Sequence, residues 1–232
     1  SQTIALARDL TIDANSSLFM DYGGGSNKSG SLTVGRNVLL NGNLSLGNAA
    51  GGDMNVGGNW TRTGTFTPNN RAVTFNGIIV QNITGSTTFD YLTIYDSAGV
   101  ALQASTDIIV NQTLNLTRGR IITGANKTII GNSGSVSRPV NGGWVYGNLQ
   151  KYFTAGVAVQ RIFEVGGSAN YLPDTIWANV DVAGSVIIAC TDGAHPNINT
   201  SQLSTSKSLN RYWNIANAGA SISSYDASFN YL

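Results

Sequence analysis

"VTFNGIIVQNITGSTTFDYLTI", residues 73–94, returns to an apolar side chain every second position over short stretches and contains one charged residue, Asp90. Alternation with a period of two points one face of a strand inward and the other to water, so Val73, Phe75, Ile83, Leu92 and Ile94 read as inward residues of successive short strands. Asn76, Gly77 and Gly85 read as the corners between them, because glycine and asparagine tolerate backbone conformations that other residues avoid. Strands of three to five residues joined by tight corners cannot cover their own apolar faces. They become stable by stacking, turn upon turn, in a coiled solenoid.

The same texture extends in both directions. Apolar–polar–apolar triplets recur at Leu10-Thr11-Ile12, Leu32-Thr33-Val34, Leu44-Ser45-Leu46 and Leu114-Asn115-Leu116. "VLLNGNLSL" from Val38 and "IIVNQTLNL" from Ile108 match in their apolar pattern, and "MNVGGNWTR" from Met54 reads as a looser third copy. Asparagine is also expected to stack from turn to turn in hydrogen-bonded ladders. Helices are not expected, since Glu164 is the only glutamate and glycine and β-branched residues run through every segment.

The pattern changes near Asn148. The remaining chain has longer apolar runs and denser aromatic residues, with candidate strands at Gln160–Val165, Thr175–Val180, Ser185–Cys190, Leu209–Ile215 and Ala227–Leu232. That spacing predicts an antiparallel sandwich. The fold expected is therefore all-β: a parallel β-helix over residues 1–148, then a β-sandwich over 149–232 that reads as incomplete at its C-terminal strand. An uncovered strand edge seeks a partner, so further copies of the chain, or flanking parts of a longer one, are the expected partners.

Composition narrows function. Charged residues make up 11% of the 232, against roughly 25% in ordinary soluble domains, and 13 Lys and Arg nearly balance 12 Asp and Glu. Without a basic stripe, nucleic acid is not an expected partner, and no run of about 18 apolar residues offers a membrane span. The single cysteine, Cys190, excludes an internal disulfide and reads as a buried strand residue. The first residues lack the charged and apolar regions of an export signal, so any such signal is expected to have been removed or to lie upstream.

"AVTFNGIIVQNITGSTTFDYLTIYDSAGVAL", followed by "DIIVNQTLNLTRGRIITGANKTIIGNSGSVS", resembles the repeat region of large secreted surface proteins of Bacteroidetes and related bacteria. The motifs carrying the resemblance are Phe75-Asn76-Gly77, Gln81-Asn82-Ile83-Thr84-Gly85, Leu92-Thr93-Ile94 and Leu114-Asn115-Leu116-Thr117-Arg118-Gly119. Asn210-Arg211-Tyr212-Trp213 is similar to the sandwich module that follows such repeats. The resemblance spans most of residues 30–232 and implies a secreted, extracellular or cell-surface bacterial protein with an adhesive, coat-forming or filament-forming role. It also implies possible O-glycosylation at Ser97 and Thr175, each of which follows an aspartate and precedes an apolar residue.

Few residues offer chemistry. His195 is the only histidine, and Asp192 lies three positions before it, a pair that a turn can bring together as a weak ligand site. No catalytic residue and no cofactor are expected, with a structural calcium ion the one metal left open. Asp53, Asp90, Asp96 and Asp107 share no spacing of the kind a polysaccharide lyase needs, and that activity ranks low. Trp60 and Trp144 sit among glycine and asparagine, as exposed rings stacking on surface glycans would, so a carbohydrate-binding module is the main alternative to a structural rod. Thr61, Thr63, Thr65 and Thr67 are expected on one strand face; with the outward threonines of the triplets they raise a lesser alternative, ice binding. The expected function is a non-enzymatic, rod-like structural or adhesive component.

Overall fold

The computed structural model describes residues 3–23, 25, 27–202, 204 and 206–231. The chain forms two compact units, residues 1–144 and 145–232. The described residues contain strands and one short 3-10 turn, Ile198–Thr200.

The first unit is a parallel β-solenoid of about six turns. Its strands run three to a turn, starting with β1 (Ile4–Leu6), β2 (Leu10–Ile12) and β3 (Ser17–Phe19), then β4 (Leu32–Val34), β5 (Val38–Leu40) and β6 (Asn43–Ser45). Next come β7 (Met54–Val56), β8 (Trp60–Arg62), β9 (Thr65–Thr67), β10 (Ala72–Phe75) and β11 (Gln81–Thr84). The upper turns use longer strands that bend around corners: β12 (Thr87–Tyr95), β13 (Val100–Leu102), β14 (Ile108–Arg118), β15 (Arg120–Ile130) and β16 (Ser135–Ser137).

One side is the parallel sheet β1-β4-β7-β10-β12-β14-β16 and the second is β2-β5-β8-β11-β13-β15. The third is formed by β3-β6-β9 below and by the remaining parts of β12, β14 and β15 above.

Register places like residues over like. Leu32, Met54, Val73, Leu92 and Leu114 stack in one column, and Val34, Val56, Phe75, Ile94 and Leu116 in the next, all with no solvent exposure. All five inward residues read from residues 73–94 are fully buried. Transfer of so much apolar surface from water is the main force holding the stack.

The three apolar repeats are real as strand–corner–strand units, but they are not equivalent turns. The copy at Met54 turns from the first sheet to the second, that at Val38 from the second to the third, and that at Ile108 from the third back to the first. True equivalence lies in the strand register: 28 residues separate Ile4 from Leu32, 22 separate Leu32 from Met54, and 19 separate Met54 from Val73.

Asparagine serves the corners as expected. Asn15, Asn27, Asn69, Asn70 and Asn141 have positive φ. Along one corner the backbone N–H of Asn37 donates to Asp9 Oδ1, that of Asn59 to Asn37 Oδ1 and that of Asn82 to Asn59 Oδ1, at 2.8–2.9 Å. The ladder thus runs from side-chain oxygen to the next turn's backbone rather than amide to amide.

The second unit contains two sets of three antiparallel strands. One is β17 (Trp144–Phe153), β20 (Gly184–Asp192) and β21 (Arg211–Ala218); the other is β18 (Gly156–Phe163), β19 (Asp174–Val182) and β22 (Ser221–Phe229). Phe153 stacks on Phe163 across the sheets with ring centroids 6.3 Å apart, and Trp213 meets Phe229 at 5.4 Å. The last strand covers Ser221–Phe229 rather than Ala227–Leu232, and Leu232 lies outside the described residues. The strand β17 was not expected, because Gly147 and Asn148 interrupt its apolar run.

Candidate functional site

Asp192 and His195 are not joined. Asp192 Oδ1 accepts from Arg211 Nε and Nη2 at 3.2 and 3.1 Å, and Oδ2 accepts the Ser168 backbone N–H at 2.6 Å. The Ser168 N–H and then Arg211 hold the Asp192 carboxyl below its ordinary range. His195 Nδ1 accepts the Asn197 N–H at 3.1 Å, and its ring packs edge-on against Tyr212. The aspartate tethers one loop to a strand, while the histidine shapes its own turn. Among the described residues no three His, Cys, Asp or Glu side chains group in a way that could hold a metal ion.

Trp60 must be corrected. It has no solvent exposure, its Nε1–H donates to Thr87 Oγ1 at 3.1 Å, and its ring packs against Phe66, Phe75 and Phe89 at 5.1–6.5 Å. Flanking Gly58 and Asn59 suggested exposure, yet they form the corner, and the next residue is the first inward position of β8. Trp144 is half-buried, with the Arg120 guanidinium 5.8 Å above its ring.

Ser97 is exposed in a turn where Asp96 Oδ1 accepts the Ala98 N–H at 2.8 Å. Thr175 is half-buried on β19, beside the fully buried Asp174. The threonine face also needs correction: Thr61 lies on β8, Thr65 and Thr67 on β9, and Thr63 at the corner between them, bonded to Asn41. A single strand cannot continue through that corner, so the four do not form one face.

Three of the dispersed aspartates, Asp53, Asp90 and Asp107, share the task of joining turns, whereas Asp96 bonds within its own turn. Asp53 Oδ1 accepts the Ala72 N–H, Asp90 receives the Asn70 N–H below and Asn111 Nδ2 above, and Asp107 Oδ1 accepts the Lys127 N–H. Hydroxyl and amide side chains do likewise: Ser31 bonds Thr3, Asn55 bonds Thr33, Asn115 bonds Thr93, and Thr113 bonds Ser135.

The second unit concentrates its buried polar groups instead. Lys151 Nζ donates to Glu164 Oε2 and to the Ile162 carbonyl, both at 2.6 Å, within a nearly closed interior. Desolvation lowers the lysine's pKa, opposed by Glu164. Asp174 has no exposure and neither oxygen finds a hydrogen bond, so burial pushes its pKa up to about 8. Burial also raises the Cys190 thiol to about 12, which keeps it un-ionised and unreactive at neutral pH. At the edge formed by β21 and β22, an open depression of about 280 Å³ is lined by Ile176, Val186, Ile215, Asn217, Ile222 and Tyr225.

Sequence reading missed one surface feature. Ile78, Ile79 and Val80, between β10 and β11, are 91, 73 and 42% exposed, while the next residue, Gln81, is buried. The alternation of residues 73–94 assigned no place to those three aliphatics, which stand consecutively and so break its period of two. Comparison with family models, with curated proteins and with solved structures finds no match to this chain.

Proposed function

We propose that the chain is a non-enzymatic structural and adhesive component of a bacterial extracellular surface, its solenoid acting as a stiff spacer or filament segment. The observation carrying this reading is the use of the polar side chains: Asp53, Asp90 and Asp107 bind the backbone or amides of adjacent turns, where an enzyme would converge them on a substrate. Carboxylates held by backbone N–H groups brace a stack against bending and shear. The resemblance of Phe75-Asn76-Gly77 and the motifs after it to repeats of secreted Bacteroidetes surface proteins supports the same reading and supplies its location.

Electron microscopy of the purified chain tests it. Rods or fibres, with no ligand on a glycan array, are expected; compact monomeric particles with a tightly bound sugar would overturn it. A carbohydrate-binding role would rest on Trp144, over whose ring Arg120 already sits.

A further inference from the structure

The corner between the first and second solenoid sheets reverses the hydrophobic pattern of the rest of the unit. From Val56 to Trp60 it is turned by Gly57, Gly58 and Asn59 alone, whereas after Phe75 the chain adds Gly77–Val80 before rejoining the register with Ile83 opposite Trp60. The added segment is tied at its base. Gln81 Oε1 accepts the Gly77 N–H at 2.8 Å, and Nε2 donates to the carbonyls of Val56, at 2.9 Å, and Gly58. A polar side chain thus occupies the interior position while three aliphatic side chains stand in water, an arrangement the hydrophobic effect opposes unless something covers them.

The neighbours along this corner describe what covers them. Turns follow at about 4.8 Å, the spacing of paired strands. One turn beyond the aliphatic protrusion lies Tyr95, 51% exposed, and opposite it in register on the next turn is the exposed Arg118; further along, Val140 is 90% exposed. In the other direction lie the exposed Arg36 and Arg8. The acid at this corner, Asp9, is engaged by Arg36 at 3.9 Å and by the Asn37 N–H, and Asp96 is buried. The corner is therefore a convex line of aliphatic and aromatic side chains with guanidinium groups on both sides.

We propose that this corner docks the solenoid onto an anionic lipid surface, with Ile78, Ile79 and Val80 entering the headgroup–acyl boundary, Tyr95 at headgroup level, and Arg36 and Arg118 on phosphates. Aliphatic side chains flanked by cations and an aromatic ring suit that interface. A convex protrusion with cations on both sides suits an anionic plane, whereas a second copy would bring guanidinium groups against guanidinium groups. The assignment rests on the adhesive reading and names the class of surface it adheres to.

Flotation of the purified chain with vesicles tests it. Binding is expected to vesicles of phosphatidylcholine with phosphatidylglycerol, and not to phosphatidylcholine alone. Ile78→Ser/Ile79→Ser/Val80→Ser should abolish it, and Arg36→Gln/Arg118→Gln should weaken it roughly 25-fold, about fivefold per cation. Val157→Ser, at an aliphatic residue 84% exposed in the second unit, should leave it unchanged. The replaced side chains lie in water, so thermal melts of all variants should match the parent. No flotation with anionic vesicles, or equal flotation of the triple serine variant, would overturn the proposal. So would a triple serine change that instead dissolves an oligomer of the chain. Rods in the electron microscope would persist in each case, which separates this failure from failure of the structural reading.

Discussion

The solenoid and the sandwich differ in where buried polar groups find their partners. In the solenoid many polar side chains bond to a neighbouring turn, as Gln81 does to Val56 and Gly58 and as Asn59 does to Asn82, although Asp96 Oδ2 and Thr128 Oγ1 are buried without a hydrogen bond. In the sandwich, Lys151 and Glu164 form a desolvated pair and Asp174 and Trp213 Nε1 are left without hydrogen bonds. A parallel stack repeats the same backbone donor at every turn, so an acceptor at a corner can find a partner one turn away, as Asp9, Asn37 and Asn59 do. Antiparallel sheets facing each other provide no such periodic donor in the interior. Polarity there must be paired individually or carried as a cost.

The largest expected difference lies in the two tryptophans. Trp60→Ala removes a fully enclosed ring from a four-aromatic cluster and should destabilise the chain by about 3–5 kcal/mol in chemical denaturation. Trp213→Phe removes an indole N–H that has no partner and should change stability by less than about 1 kcal/mol. Equal losses would erase the contrast between the two cores.

Glycine provides a second comparison. Gly85 has φ +89°, and a Cβ there would collide with the Arg62 carbonyl of the turn below, so Gly85→Ala should cost more than about 2 kcal/mol. Gly193 has φ +111° but open space around it, so Gly193→Ala should cost only the backbone penalty, about 1 kcal/mol. Thermal denaturation of both variants distinguishes close packing of turns from conformational preference alone.

A further contrast, graded rather than fixed, is the pH dependence of Asp174. Its pKa, about 8 in the folded chain against 3.8 ordinarily, means that the unfolded state loses its proton first as pH rises. Between those values this group costs about 1.4 kcal/mol of stability per pH unit; below them it has no effect, and above them the full cost is constant. Asp174→Asn should therefore match the parent near pH 3 and melt progressively higher than it from pH 4 to 8. Parallel melting curves across that range would show that the carboxyl is ionised and partnered in solution.

Most of the solenoid was legible because its signal is local. The triplets Leu10-Thr11-Ile12 and Leu32-Thr33-Val34 coincide with β2 and β4, since period-two alternation is enough to bury one face. The copies at Val38, Met54 and Ile108 look alike for the same local reason, yet each turns a different corner. Candidate site residues were read less well. Trp60 and Gly58 are two positions apart, and one is core while the other is corner; neighbouring glycine and asparagine do not reveal on which side of a corner a side chain falls. Asp192 and His195 are close in sequence but have separate partners, because Ser168 and Arg211 reach the aspartate from other segments.

By itself the sequence determined an all-β chain of stacked short strands followed by an antiparallel module, because alternation, glycine, asparagine and scarce charge act within a few residues of where they occur. The tertiary structure alone decided which corners are equivalent, that Asp53, Asp90 and Asp107 join turns, and that Ile78, Ile79 and Val80 face water while Gln81 does not. Those outcomes depend on what lies one turn, about 4.8 Å, away in space and some twenty residues away in the chain, a distance over which local pattern carries no information.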